Sequence, residues 1–388
     1  MDRRHFTIGC GCCGLLASLS SLAWDAPPRF TRPDPASDEG GLWALMEREE
    51  ARLKRSHFLM GPKELQDYVG EITCKLAGEH CPDVRVYLVR TPYFNASMAP
   101  NGMLQLWSGL LLRMANEAQL AAIIGHELGH YLARHSVEQL RDAKSRAAFG
   151  QFLGIILSAG GAGGVALGTL SQLAIVAGMF AYSREHEIQA DEIGLELMSR
   201  AGYAPQEAPR VWQQLVEEYK GDPENDATAG SVLFATHPAP SDRLTNLAEL
   251  AKKMPSTGQI GETTFTEALS PVRFELLKDE MKRRRPGETL VLLDRLIRIT
   301  PGDADLLFFR GEAYRTRNQS GDFEKALEAY RYSIDSKRPP AESYRSMGLI
   351  QRKIGQPEAA RQSFRSYLRL RPDAEDSDLI RSYLEEGS

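Results

Sequence analysis

Between residues 42 and 76 apolar positions recur at the three-and-four spacing of half-buried helices, interrupted at Met60-Gly61-Pro62. Residues 84–89 alternate as a strand does. Residues 94–99 and 103–107 read as two more short extended runs, joined by the turn signal Pro100-Asn101-Gly102. Beyond Gly109 the helical period returns, first over 110–114 and then over 117–140. An uncharged stretch follows from 147 to 183, with apolar runs at 149–158 and 165–182 split by Gly160-Gly161-Ala162-Gly163-Gly164. The first run is too short to cross a bilayer, and the second barely reaches the ~18–20 residues required. The segment is therefore expected either as buried or lid-forming helices broken by a glycine turn or as a hairpin dipping into a membrane surface. Another helix opens at Tyr182 and continues through Met198.

The C-terminal third repeats. Gly321-Asp322-Phe323-Glu324-Lys325-Ala326 and Gly355-Gln356-Pro357-Glu358-Ala359-Ala360 lie 34 residues apart, as do Tyr330 and Phe364. Small residues, an aromatic and the terminal prolines Pro301 and Pro372 at this period resemble tetratricopeptide repeats. Each such unit is a helix pair that cannot bury its own apolar face, so units stack into a solenoid with a concave surface. The expected organisation is an export signal over 1–23, a flexible leader over 24–40 and a main domain over 41–255. A linker over 256–271 then leads to the repeat domain, 272–388.

Composition narrows the class. The 388 residues are 42% hydrophobic and 26% charged, as in a folded globular chain and unlike a disordered or multi-pass membrane one. A net charge of −5 offers no basic excess for a nucleic-acid partner. Arg3 and Arg4, the uncharged residues 6–23 and the closing Ser21-Leu22-Ala23 read as an export signal. Arg3, Arg4 and Phe6 match the twin-arginine pattern, with an ordinary Sec signal or an uncleaved anchor as alternatives. Its removal leaves Cys74 and Cys81, either bridged in an oxidising compartment or present as two buried thiols.

The sharpest local signal is His126-Glu127-Leu128-Gly129-His130. At about 100° per helical residue the two histidines lie roughly 40° apart, so one turn can grip one metal ion. Glu127 falls to the side of that face, where its carboxylate can serve as a general base: the H-E-x-x-H arrangement. A third ligand is needed. Glu187 and Asp191 are four apart on one helix face, so one can bind metal while the other orients a ligand histidine. His135, half a turn from His126 on a continued helix, is expected to be a surface or packing residue. Glu185 and His186 are expected to be solvated or paired.

His126-Glu127-x-x-His130, followed 57 residues after His130 by Glu187-x-x-Ala190-Asp191, resembles the HtpX-like and CAAX-prenyl-protease-like zinc metallopeptidases, metallopeptidase family 48. The resemblance implies His126, His130 and Glu187 as ligands of one Zn2+, Glu127 as base and Asp191 as support behind the ligands. Asn95-Ala96-Ser97-Met98-Ala99 looks like the family's Asn-Ala-Phe-Ala strand, with Ser97 replacing the aromatic. Such a strand borders the cleft, and its free edge can pair with an extended peptide. Thr236-His237-Pro238 and Arg243 resemble the family's late His-Pro…Arg element. That implies His237 near the metal, either polarising substrate or filling the fourth position as a removable lock. Arg243 either meets a developing oxyanion or pairs with a structural carboxylate.

The expected fold is α+β and mostly helical: a gluzincin-like zincin domain with a small sheet, then an α-solenoid of tetratricopeptide repeats. The order of signal, catalytic domain and repeats resembles the BepA-type periplasmic members. That implies a periplasmic zinc endopeptidase cutting misfolded or misassembled envelope proteins, with a protein partner in the repeat groove. The competing expectations are a chaperone or scaffold with a locked metal site, and a membrane-associated protease touching the bilayer through 149–182.

Overall fold

Helices α1 (Asp38–Leu53) and α2 (Lys63–Ala77) part where Met60-Gly61-Pro62 breaks the helical period. The computed structural model describes residues 24–145, 182–222 and 240–385. The expected export signal, the uncharged segment up to residue 181 and His237 lie outside the described residues. After α2, a disulfide joins Cys74 to Cys81 across a short 3-10 turn, deciding between the two states left open for these cysteines.

Strands β1 (Arg85–Val89), β2 (Ala96–Met98) and β3 (Met103–Trp107) form a sheet in the order β1-β3-β2. β3 runs parallel to β1 and antiparallel to β2, with Tyr87 and Ser97 both opposite Gln105. The Pro100-Asn101-Gly102 turn forms as expected. Gly102 adopts φ 85°, and a Cβ there would stand 2.0 Å from the Asp83 carbonyl oxygen, so only glycine fits.

Next come α3 (Ser108–Arg113) and α4 (Glu117–Leu132), the latter capped by Asn116, whose side chain accepts from the Gln119 amide. The single helix expected over 117–140 is in fact two. α4 stops at Leu132, Arg134 takes φ 60°, and α5 (His135–Ser145) starts in a new direction. Helices α6 (Arg184–Arg200), α7 (Glu207–Tyr219) and α8 (Pro240–Lys252) complete this half.

Two expected flexible segments are held. Residues 24–37 carry no helix or strand, yet Arg29 pairs with Asp83 at 2.5 Å, and Phe30 packs edge-on against Tyr131 of α4. The expected linker 256–271 is largely helix, because α9 (Glu262–Met281) begins inside it and runs through Pro271. Phe265, Leu269, Val272 and Leu276 give α9 an apolar face, which joins the same core cluster as Leu120, Ile124 and Leu128 of α4. No border between halves is visible in that cluster.

The remaining helices are α10 (Pro286–Ile299), α11 (Ala304–Arg317), α12 (Asp322–Ile334), α13 (Glu342–Lys353), α14 (Pro357–Leu370) and α15 (Ser377–Glu385). The spacing seen in the sequence has a packing meaning. A Cβ on Gly311 of α11 would come within 2.3 Å of the Tyr330 ring of α12, and one on Gly348 of α13 within 2.6 Å of the Phe364 ring of α14. Each glycine thus opens the slot that its partner aromatic fills.

A buried charge cluster ties the halves together. Arg113 of α3 donates to Glu218 of α7 at 2.7 Å and to Glu280 of α9 at 2.9 and 3.0 Å. Glu218 also accepts from Arg295 of α10, and Glu280 from Arg283 at 2.6 Å. Sequence reasoning singled out none of these residues.

Candidate metal centre

Helix α4 presents His126 and His130 on one face, and α6 brings Glu187 against them. Their donor atoms form a compact triangle. The two Nε2 atoms are 3.1 Å apart, His126 Nε2 is 3.6 Å from Glu187 Oε2, and His130 Nε2 is 3.4 Å from Glu187 Oε1. A tetrahedral ion with bonds of ~2.0–2.1 Å needs its donors about 3.3–3.4 Å apart, which these separations bracket. On the far side of the first ring, Asp191 Oδ1 and Arg243 Nη2 each stand 2.8 Å from His126 Nδ1. His126 Nε2 faces the other two donors of the triangle. Two buried imidazoles and a carboxylate this close together suit a cation.

Residues 62–251 match peptidase family M48. The chain carries an M48 metallopeptidase domain. Among relatives, the beta-barrel assembly-enhancing protease of Escherichia coli (strain K12) is 26% identical over 243 residues, covering 58% of this chain and 48% of the relative. The mitochondrial metalloendopeptidase OMA1 of Saccharomyces cerevisiae is 30% identical over 168 residues, 43% of this chain and 46% of the relative. The corresponding OMA1 of Arabidopsis thaliana is 33% identical over 168 residues, 42% of this chain and 31% of the relative. The chain thus spans less than half the length of each of these relatives.

Backbone contact between α4 and α6 makes the triangle possible. A Cβ on Gly129 would approach the Ala190 carbonyl oxygen to 2.7 Å, one on Gly125 the Gly194 oxygen to 2.9 Å, and one on Gly194 the His126 nitrogen to 2.9 Å. Small residues at 125, 129, 190 and 194 let the helices touch, so a short glutamate side chain reaches both imidazoles. This signal stood in the sequence at a four-residue spacing. Gly129→Ala is expected to push the helices apart and destabilise the fold by about 1–3 kcal/mol. Zinc content after dialysis should fall with it, and full retention at an unchanged unfolding midpoint would contradict the close-contact account.

Behind the triangle, Arg243 of α8 grips Asp191 with Nη2 and Nε, and its Nη1 lies 3.8 Å from Glu187 Oε2. Its guanidinium stacks 4.1 Å above the Trp212 ring of α7. Of the two roles open for Arg243, the pairing with a carboxylate is present, and its Nη2 also lies 2.8 Å from His126 Nδ1. Burial pulls the Asp191 carboxyl upward, but Arg243 and His126 outweigh it and hold the group below the usual carboxylate range.

Glu127 is 4% exposed and, among the described residues, makes no hydrogen bond or ion pair. Tyr182 stacks 3.8 Å from the His130 ring and meets Ser136 through its hydroxyl at 2.9 Å. His186 is paired, as expected, with Glu138 at 3.2 Å.

Of the two readings open for His135, surface or packing, the residue is packed inside. The break at Arg134 turns it inward, fully buried, with Nδ1 2.9 Å from His130 Nδ1 and Nε2 2.9 Å from Gln189 Oε1. Burial is the main cause that keeps its pKa below the ordinary histidine value. Nothing in Ala133-Arg134 announces a helix end, so no local signal could have placed it.

In the edge strand, Ala96 and Met98 are buried and Ser97 is half-buried. Asn95 accepts from the Trp107 amide at 3.1 Å, and Ala99 donates to the Met103 carbonyl at 2.9 Å. Among the described residues β2 has a strand partner on one side only.

Proposed function

We propose that the protein is an exported, zinc-dependent endopeptidase that hydrolyses peptide bonds of misfolded or misassembled envelope proteins. In this reading the C-terminal helices form a tetratricopeptide solenoid that recruits substrate or a partner. The observation that carries it is the convergence of His126, His130 and Glu187 within 3.6 Å, beside the buried carboxylate of Glu127. A His/His/carboxylate set suits zinc. Bound zinc would supply Lewis acidity for the scissile carbonyl and for the attacking water. Glu127 takes the proton from the attacking water and returns it to the leaving amine. Arg243, through Asp191, keeps His126 aimed.

The wider role rests on supporting observations. Relatives include proteases named for beta-barrel assembly, which favours envelope proteins as substrates. The Cys74–Cys81 bridge favours an oxidising compartment such as the periplasm. Among the described residues no helix is long and apolar enough to cross a membrane. The glycine-aromatic slots between α11 and α12 and between α13 and α14 favour the repeat reading. The edge segment from Asn95 to Ala99, with β2 at its centre, is proposed to hold the substrate backbone, and His237 to gate the metal.

Casein digestion by the purified protein tests this reading, run beside His237→Ala and with a zinc chelator. Zinc-dependent cutting supports the peptidase, and faster cutting by the variant supports the gate. No cutting by either protein, despite bound zinc, would favour a scaffold.

A further inference from the structure

The two histidines of the centre are backed by different groups. His126 Nδ1 faces the ion pair of Asp191 and Arg243, each at 2.8 Å, whereas His130 Nδ1 faces the Nδ1 of His135 at 2.9 Å. The other nitrogen of His135 stands 2.9 Å from Gln189 Oε1, two residues beyond Glu187 on α6. Three elements, α4, α5 and α6, therefore converge on one buried ring, which also stacks 4.3 Å from His186.

Each nitrogen of a neutral imidazole offers either a proton or a lone pair, so a contact between two Nδ1 atoms is a hydrogen bond in one direction at a time. Metal binding through His130 Nε2 requires the lone pair there and the proton on Nδ1. His135 Nδ1 must then accept, which leaves its own proton on Nε2 for donation to Gln189 Oε1. We infer that His135 is a positioning residue of the metal centre: anchored by Gln189, it accepts from His130 and holds that ring in the tautomer and orientation that present Nε2 to the metal. This inference rests on the proposed zinc site. It also gives a reason for the asymmetry. Glu187 and Asp191 already bury two carboxylates beside one arginine, and a third behind His130 would add an uncompensated charge.

Zinc affinity of the full chain, measured by competition with a chromophoric chelator, is the test. His135→Phe keeps a ring but removes both nitrogens, and is expected to weaken zinc binding about 10–100-fold. His135→Asn places an acceptor oxygen where Nδ1 stood and should restore binding to within about threefold of wild type, despite its smaller volume. A packing role predicts the opposite ranking. A phenylalanine variant that binds like wild type, or an asparagine variant no better than phenylalanine, overturns the inference. A long-range 1H–15N correlation spectrum of the zinc-loaded wild type supplies a readout that needs no variant to fold. His135 should carry its proton on Nε2, and a proton on Nδ1 overturns the assignment. A wild type that binds no zinc fails earlier, and overturns the proposed function along with the inference.

Discussion

Replacing Glu127 by glutamine is expected to slow peptide hydrolysis about 10²–10⁴-fold, with zinc content and unfolding midpoint unchanged. Glutamine has the shape of glutamate but cannot take a proton from water. Glu127 has no hydrogen-bond or ion-pair partner among the described residues, so removing its charge disturbs no structural contact. The loss should appear in kcat, because the proton moves only as the reaction proceeds. Glu187→Gln is the contrasting variant. It alters a donor of the triangle and should lose zinc together with activity, which atomic absorption on the dialysed protein would show. Full activity in Glu127→Gln would remove the general base and, with it, the mechanism.

The largest stability effect is expected from Arg113→Met, a loss of about 3–5 kcal/mol at neutral pH in denaturant unfolding. Arg113, Glu218 and Glu280 are all buried, and Arg113 is the cation shared by both carboxylates. Removing it leaves each acid with a single arginine partner, Arg295 or Arg283. The pH dependence has a definite sign. Burial would raise the Glu280 carboxyl, but Arg113 and Arg283 overcome it and hold the pKa below the ordinary value. A carboxyl lowered by folding stabilises the protein above its unfolded pKa, about 4.3, and that contribution is lost as pH falls through the folded value. The gap between wild type and Arg113→Met should therefore be widest near neutrality and shrink below about pH 4. A constant gap would mean that the arginine acts through packing alone.

Much of the centre was legible because it depends on one helix. The angle between His126 and His130 follows from helical pitch, and Glu127 falls beside them for the same reason. The alternation of residues 84–89 and the Pro100-Asn101-Gly102 turn likewise became β1 and the β2–β3 connection, since strand alternation and a left-handed glycine are local properties. The family pattern supplied Glu187 and Asp191, and the glycine spacing on α4 and α6 explains how they arrive.

What the chain alone determined is thus what single elements carry: the paired imidazoles, the adjacent carboxylate, the turn glycine and the 34-residue period. Only the tertiary structure decided which group stands behind each imidazole, that α9 replaces a linker, and that Arg113 meets a carboxylate 167 residues away. The reason is geometric. A side chain's direction on its own helix is a matter of counting residues. Its neighbours across an interface depend on where other helices cross, and on breaks such as Arg134, where a one-residue change in backbone φ redirects everything that follows.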